Sequence, residues 1–108
     1  MALSTNTQSN TTGVSNFAVG KVVTDGGAAA ATTFTLGFAP RKVRFVNLTD
    51  RITDEWFEGM ASASSLHTVA AGTVTLETTN GIAVSGNTFT VTATTMVASK
   101  TFYWEAYA

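Results

Sequence analysis

Residues 73–94 read TVTLETTNGIAVSGNTFTVTAT, and this stretch decides the fold class. Side chains in residues 73–78 alternate in character, with Val74 and Leu76 on one side of the backbone and the threonines and Glu77 on the other. A period of two residues is that of a β-strand, because successive side chains point to opposite faces. The alternation therefore predicts a strand with one face toward a core.

Two dipeptides divide the same stretch into antiparallel strands. Asn80-Gly81 tolerates the positive φ angles of a type I′ turn, so we predict a hairpin that joins residues 73–78 to residues 82–85. Gly86-Asn87 then predicts a second turn, which leads into a strand over residues 88–94.

Strand signals continue on both sides of this stretch at intervals of about ten residues. The chain is rich in threonine, valine and aromatic residues, which suit a pleated, half-buried surface, and it contains one proline. No segment has the apolar spacing of an amphipathic helix. Further strands are predicted over residues 17–24, 32–36, 42–49, 52–60 and 100–107.

The number of strand signals predicts the fold class. About seven to nine short strands at regular spacing are typical of packed antiparallel sheets. We therefore expect an all-β fold, namely an antiparallel β-sandwich of jelly-roll-like character with an extended N-terminal arm. Periodicity does not encode strand order, so an immunoglobulin-like order stays open beside the jelly roll.

Composition divides the chain into an arm and a domain. Residues 1–16 are rich in serine, threonine and asparagine and carry too little apolar area to repay the entropy of ordering them alone. We expect this polar arm to reach another subunit by strand addition, with Leu3, Val14 and Phe17 as its apolar anchors. Residues 17–108 are expected to form the β-sandwich domain.

Chain length and cysteine content predict assembly. The 108 residues correspond to a single domain, and a chain of this size buries less than roughly 70% of its unfolded surface. The absence of cysteine excludes disulfides and thiolate chemistry. A small domain without such cross-links commonly gains stability by association, so we expect a homo-oligomer, either a dimer or a trimer.

Charge and hydrophobicity exclude two classes of partner. A net charge of −1 provides no field to gather phosphates, which argues against nucleic-acid binding. No run approaches the roughly 18 apolar residues of a membrane helix, and residues 1–10 lack the basic and apolar regions of a secretion signal. Only 12% of residues are charged while 44% are hydrophobic, so partners are expected to cover part of the surface.

Catalytic residue types are scarce in the sequence. His67 is the only histidine, which excludes a multi-histidine metal cluster and leaves one candidate base. No G-x-S-x-G nucleophile motif is present, and Ser64 and Ser65 are too close in sequence to His67 to face it productively. We expect a surface or turn histidine, no enzymatic activity and no cofactor.

One acidic cluster has two chemical interpretations and one structural interpretation. Paired carboxylates are used to cleave glycosidic bonds, and nearby aspartates bind calcium, although the D-x-D-x-D-G loop is missing here. Ordinary ion pairs with nearby basic residues are favoured, and we predict no metal site. The acidic residues are Asp50, Asp54, Glu55 and Glu58, and their expected partners are Lys42, Arg44 and Arg51.

Four aromatic residues are expected in the core or in a subunit interface, where such rings bury large areas. These are Trp56, Phe57, Trp104 and Tyr107. The alternative is a carbohydrate-binding platform formed by Trp56, Trp104 or Tyr107.

Residues 38–51 read FAPRKVRFVNLTDR and lead into EWFEGM at residues 55–60. The pattern "F-x-P-x-x-V-x-F-x-N-x-T-D" followed by "E-W-x-x-G-M" resembles that of small tailed-bacteriophage capsid decoration proteins, also called cement or head-stabilisation proteins. The resemblance covers about a fifth of the chain and includes no catalytic signature.

The resemblance implies a structural protein of the virion. Such a protein binds the mature phage head, contacts the major capsid protein and reinforces contacts between capsid subunits against packaged DNA. It is synthesised in the host cytoplasm and resides on the capsid surface. Two alternatives stay open, namely a carbohydrate-binding module of a tail or fibre and a structural protein of the tail or neck.

Overall fold

The computed structural model describes residues 16–108, which form one antiparallel sheet of eight strands and no helix. The predicted all-β fold is therefore confirmed. Among these residues there is accordingly no apolar helix of a length that crosses a membrane. The strands are β1 (Phe17–Val23), β2 (Thr32–Thr35), β3 (Lys42–Asn47), β4 (Ile52–Phe57), β5 (Ser64–Thr68), β6 (Val74–Ser85), β7 (Thr88–Val91) and β8 (Thr101–Tyr107).

The sheet curls over on itself and encloses a core between two layers. Its strands lie in the order β1-β8-β3-β4-β5-β6-β7-β2. Although β2 is at one end of this order, the ring of Phe34 in β2 lies 5.8 Å from that of Phe45 in β3 and 5.6 Å from that of Trp104 in β8. The last strands therefore cover the first ones, and the sandwich-like fold is confirmed.

The connectivity is nested at its ends. β1 pairs with β8 and β2 pairs with β7, both antiparallel, so the first strands of the chain lie beside the last ones. The inner strands β3 to β6 follow one another in chain order.

The long strand β6 carries the bend between the two layers. Its first half pairs with β5, and its second half pairs with β7. The register with β5 shifts in between, since Ser65 pairs with Glu77 while Ser64 pairs with Ile82. Residues 78–81 therefore bulge out of the ladder, and the strand bends there.

Asn80-Gly81 lies in this bulge, so the predicted hairpin is wrong. Gly81 does not have a positive φ angle. Its N–H donates a hydrogen bond of 2.9 Å to the carbonyl of Ala63, and a Cβ at this position would overlap the backbone of Ser64. Glycine is needed here because two backbones approach closely, not because the chain reverses.

The second predicted turn is confirmed. Gly86-Asn87 connects Ser85 of β6 to Thr88 of β7, and these two residues pair across the hairpin. Gly86 has a φ angle of 57°, which is the conformation that glycine adopts without steric cost.

The core follows the period-two alternation in β3, but the core-facing side predicted for residues 73–78 is wrong, because Val74 and Leu76 are 57% and 62% exposed. In β3, Val43 and Phe45 are buried while Arg44 is exposed. An aromatic centre occupies the middle of the core, with its rings 4.9 to 5.3 Å apart in three contacts. The aromatic centre consists of Phe34, Phe45, Phe89, Phe102 and Trp104.

Strand β5 was not predicted from the sequence. Its residues Ser64 and Ser65 are buried, whereas its aliphatic residue Leu66 is exposed. The hydrophobic alternation is therefore inverted in this strand, and a pattern that assigns apolar residues to the core does not detect it.

The predicted arm lies almost entirely outside the described residues, and so do Leu3 and Val14. Asn16 is described, and its carbonyl accepts a hydrogen bond of 2.9 Å from the N–H of Ala108. Phe17 begins β1. The division of the chain at residue 16 stays a prediction.

Candidate functional site

The outward surface of β1, β8, β3, β4, β5 and the first half of β6 is here called the outer face. Many large apolar side chains on it are exposed, with exposed fractions from 39% to 66%. Most of them lie on two separate pairs of neighbouring strands, β1 with β8 and β5 with β6, and exposed apolar patches mark interaction sites in soluble proteins. The exposed residues are Phe17, Val19, Val23, Phe57, Leu66, Val74, Leu76 and Tyr103.

Strand register arranges the outer face in rows that run across the strands. Apolar side chains occupy both ends of one row of six residues, and charged side chains occupy its middle. Arg44 stands there between Glu55 of β4 and Glu105 of β8. In order, this row is Val19, Glu105, Arg44, Glu55, Leu66 and Leu76.

A shallow groove of about 460 Å³ lies on the outer face over β1, β8 and β3. Val19, Val46 and Tyr103 contribute apolar surface to it, and Arg44 contributes charge. The ammonium group of Lys21 lies 5.8 Å from the ring centroid of Tyr103, which is a cation–π distance. The outer face thus contains an apolar groove with basic side chains.

Both tryptophans are on the inner side of the sheet. Trp56 is 7% exposed and belongs to the core, and its indole N–H has no hydrogen-bond partner among residues 16–108. Trp104 packs against Phe34 and Phe89. Of the three residues considered for a sugar platform, only Tyr107 lies on the outer face.

Phe57 and Tyr107 occupy one further row of the outer face, on either side of Lys42. The rings of Tyr107 and Phe17 are stacked, with centroids 6.3 Å apart. The Tyr107 hydroxyl donates a hydrogen bond of 2.9 Å to Glu105, which raises the pKa of Tyr107 above its usual value because ionisation would break this bond. The four predicted aromatic residues thus divide into two core residues and two surface residues.

The inner side of the sheet also carries a polar cavity of about 190 Å³. It lies next to the aromatic centre, and Phe45 borders both regions. Its lining is formed by Phe45, Asn47, Asp50, Ile52, Asp54, His67, Glu77, Asn80, Thr94, Thr95 and Val97.

Asp54, Ser65 and His67 meet at this cavity. Asp54 is 3% exposed and accepts a hydrogen bond of 2.8 Å from the Ser65 hydroxyl. The Nδ1 atom of His67 lies 2.9 Å from the same carboxylate oxygen. Because Ser65 is fully buried and bonds to Asp54 instead of His67, the trio lacks the contact between nucleophile and base that a catalytic triad requires.

His67 was expected at the surface or in a turn, and the structure shows that it is not in a turn. The residue lies within β5, pairs with Asp54 across the strands and has a side chain that is 29% exposed. A surface or turn position was expected because no strand was predicted there. Asp54 lies two residues before the buried Trp56, and this spacing could have indicated that the Asp54 carboxylate points inward. That His67 is its partner could not be predicted, because it depends on the register between β4 and β5.

A second polar network closes the turn after β3. The side-chain NH2 group of Asn47 donates a hydrogen bond of 3.0 Å to the carboxylate of Asp50. The side-chain oxygen Oδ1 of Asn47 accepts a hydrogen bond of 2.9 Å from the backbone N–H of Asp50. The ammonium of Lys100 donates to Asp50 at 3.0 Å. This last bond is the main reason why the pKa of Asp50 lies below its usual value, with the Asn47 bond adding to it.

Glu77 lies at the start of the β6 bulge. Its carboxylate accepts hydrogen bonds from the N–H groups of Thr79 and Thr78, at 3.2 and 3.0 Å. These backbone donors, with Thr79 the largest contributor, lower the pKa of Glu77. The carboxylate therefore satisfies backbone groups that the bulge removes from the ladder.

Of the four acidic residues that are close in sequence, Asp50 and Asp54 line the same polar cavity, whereas Glu55 and Glu58 do not. Asp54 faces the polar cavity, Glu55 faces the outer side, and Glu58 forms an ion pair of 3.6 Å with Arg41. The side chains of histidine, aspartate and glutamate in residues 16–108 form no group of three arranged to hold a metal ion. The basic residues in the ion pairs of Glu58 and Asp50, which are Arg41 and Lys100, were not those predicted.

Comparisons of the chain with protein-family models, curated proteins and solved structures find no match. The function proposed below therefore rests on the residues of this chain and on their geometry.

Proposed function

We propose that this chain is a structural virion protein that decorates the mature head of a tailed bacteriophage and reinforces contacts between capsid subunits. The observation that carries the proposal is the outer face, where exposed apolar side chains lie on five of the six neighbouring strands. A small protein that exposes so much apolar surface on one side is suited to lie against a larger assembly.

The sequence pattern that resembles capsid decoration proteins builds the middle of this face. Residues 38–60 include β3 and β4, which pair with each other and lie between β8 and β5. Lys42, Arg44 and Val46 point outward from β3, and Glu55 and Phe57 point outward from β4. The resemblance therefore concerns the middle strands of the outer face, where Phe57 is the exposed apolar residue.

The composition of the outer face suggests how reinforcement works. Apolar contacts provide affinity that salt screens little, while the row of alternating charges around Arg44 orients the protein on the shell. A single contact of this kind is modest. Many copies on one shell make the attachment effectively permanent when each copy bridges two neighbouring molecules of the major capsid protein.

The proposal keeps a role for the N-terminal arm. Residues 1–16 would extend to a neighbouring subunit, anchored by Leu3 and Val14 and by Phe17, which is 64% exposed at the start of β1. Phe17 stacks on Tyr107, so the anchor begins on the outer face itself.

Binding to shells tests the proposal. Mature, DNA-filled heads of the source phage, prepared without this protein, are mixed with the purified full chain and sedimented. We expect saturable occupancy that survives high salt. The double variant Leu66→Lys and Leu76→Lys should lose most of it, because these residues oppose each other on the outer face and are already exposed, so the fold is retained.

A matched control carries the same added charge away from this face. The variant Ala29→Lys with Ala30→Lys changes two exposed residues of the loop after β1 and should bind like the unmodified chain. Failure of the unmodified chain to bind any head, or full occupancy by the Leu66/Leu76 variant, would overturn the proposal.

The arm is tested separately by deletion of residues 2–16. We expect the truncated chain to fold and to occupy fewer sites at equal concentration. Undiminished occupancy would remove the arm from the mechanism while leaving the outer face in place.

A further inference from the structure

Strand β1 forms one edge of the sheet. Along the strand, the N–H and C=O groups of successive residues point in turn toward β8 and toward the open side of the sheet. At the two ends of the β1–β8 ladder, the N–H of Ala108 donates to the carbonyl of Asn16, and the N–H of Thr24 donates to the carbonyl of Lys100, both at 2.9 Å. Hydrogen-bonded pairs alternate along an antiparallel ladder. Ala18, Gly20 and Val22 therefore point their backbone groups toward β8, whereas the odd-numbered residues point theirs away from it.

The odd-numbered residues of β1 are exposed in both backbone and side chain. Phe17, Val19 and Val23 have exposed fractions of 64%, 66% and 66%, and Lys21 lies on the same side. Among residues 16–108, no strand pairs with this side of β1. An unpaired apolar edge of this length is a template for pairing with another chain.

The edge carries one charged residue, Lys21, but it lacks the proline, the bulge and the short length that also block such pairing. β1 has seven residues without proline, and its register with β8 is continuous. The opposite edge of the sheet, β2, has only four residues. The two edges therefore differ in their capacity to accept a partner strand.

We propose that β1 pairs antiparallel with β1 of a second copy of this chain, about a twofold axis at Gly20. In this register Phe17 lies opposite Val23 of the second copy, and Val19 lies opposite Lys21 of the second copy. These are pairs of odd-numbered residues, so all the outward backbone groups of both strands find partners. The four pairs exchange about eight backbone hydrogen bonds.

The side chains that this register places opposite each other are compatible in charge and polarity. On the outer face, Phe17 and Val23 of the second copy form an apolar cross-strand pair, which is a stabilising combination. Lys21 of the second copy lies beside Val19, which pairs with Glu105, so an ammonium and a carboxylate fall in one row. The two outer faces become one continuous surface.

Gly20 suits the position on the twofold axis. It faces its own symmetry copy in a non-hydrogen-bonded pair, which is the narrow kind of pair in an antiparallel ladder. A Cβ at Gly20 would overlap the indole of Trp104, so the core already requires glycine at this position.

A second copy fits this edge better than an unrelated peptide. The same seven residues supply both sides, as an isologous interface requires, and no like charges lie directly opposite each other. The inference does not rest on the proposed function, because this association needs no shell.

Sedimentation equilibrium and amide hydrogen exchange on the full chain test the inference together. We expect a dimer at micromolar concentrations, with slow exchange of the N–H groups of all residues in β1. On dilution, the amides of Val19 and Lys21 should become exchangeable, while those of Ala18 and Val22 stay protected by β8. No substitution is needed for this measurement.

Two proline variants provide a matched pair. Val19→Pro removes an outward N–H that the β1–β8 ladder does not use, so the monomer fold is retained while the dissociation constant rises about a hundredfold or more. Thr35→Pro makes the equivalent change on β2, where the hydrogen bond from Leu36 N–H to Asn87 places Thr35 on the open side. The Thr35 variant should remain a dimer.

Several results would overturn the inference. A full chain that is monomeric at all accessible concentrations contradicts it, as does a Val19→Pro variant that folds and still dimerises. Slow exchange of Val19 and Lys21 that does not change with concentration would indicate that another segment of the same chain covers the edge. Protection of these amides only after addition of phage heads would assign the edge to the shell.

Discussion

The aromatic centre and the polar cavity share the inner side of one sheet, yet different forces hold them. Phe45 borders both regions. In the aromatic centre, rings from four strands contact one another, and the gain is proportional to the apolar area removed from water. In the polar cavity, Asp54 is tolerated because Ser65 and His67 bond to it in one particular register. The comparison teaches that apolar contacts select the fold, whereas paired polar groups select the alignment of neighbouring strands.

The strongest test of the comparison removes a ring from the aromatic centre. Phe45→Ala should lower the free energy of unfolding by about 3–5 kcal/mol, because Phe45 is 1% exposed and contacts the rings of Phe34, Phe89 and Phe102. Chemical denaturation followed by tryptophan fluorescence measures the change. A loss below about 1 kcal/mol would show that the centre is not the main source of stability.

The next test addresses the bulge where β6 passes from one layer to the other. Gly81→Ala should cost about 3 kcal/mol, because the added methyl group meets the backbone of Ser64 and not a side chain that can rotate away. Gly37→Ala is the control, since a Cβ there has no neighbour within 4 Å. Equal midpoints of urea denaturation for the two variants would contradict the assigned close approach.

A smaller effect is expected inside the polar cavity. Asp54→Ala should cost about 2 kcal/mol, because it leaves the fully buried Ser65 hydroxyl without its acceptor. Asp54→Asn keeps an acceptor oxygen and should cost less. In a double-mutant cycle, Ser65→Ala should recover part of the loss caused by Asp54→Ala, and strictly additive losses would show that the two groups are not coupled.

The smallest effect concerns acid. The pKa values of Asp50 and Glu77 lie below their usual values of 3.8 and 4.5 because Lys100 and backbone N–H groups bond to the ionised forms. Groups whose pKa is depressed by folding stabilise the protein above their unfolded pKa, and this contribution is lost as the pH falls through the folded value. Unfolding free energy should therefore be flat near neutrality and decline below about pH 4.

A variant isolates the contribution of Asp50 to this decline. Asp50→Asn should be less stable than the unmodified chain at neutral pH, and the difference should shrink in acid. Guanidinium denaturation at pH 6 and pH 3 provides the comparison. An equal difference at both pH values would mean that the Lys100 contact does not depend on charge.

The sequence was most informative where apolar residues alternate. The strands predicted over residues 42–49 and 100–107 correspond to β3 and β8, with errors of one or two residues at their ends. Alternation located strands better than it located the core, because Val43 and Phe45 of β3 are buried while Val74 and Leu76 of β6 are exposed. The nested order of strands was not accessible, because it depends on contacts between distant segments.

The polar cavity was less accessible from sequence for the same physical reason. Asp54 and His67 meet only because β4 and β5 align in one register, and the inverted alternation of Ser64, Ser65 and Leu66 concealed β5. Asn80-Gly81 led to the opposite error, because a turn was predicted inside the continuous strand β6. A local preference for a turn was overridden by the tertiary contact with Ala63, which uses the small size of Gly81 instead of its conformational freedom.

The pairing of the first strand with the last has a consequence for biosynthesis. Phe17 of β1 lies beside Tyr107 of β8, so β1 leaves the ribosome long before its partner exists. Such a high contact order is associated with folding times on the order of milliseconds to seconds. Completion of the sheet therefore waits for the synthesis of residues 101–107, and a nascent chain that ends before Thr101 holds an apolar strand β1 without its partner. Chaperone binding during synthesis is most useful to this protein at that segment.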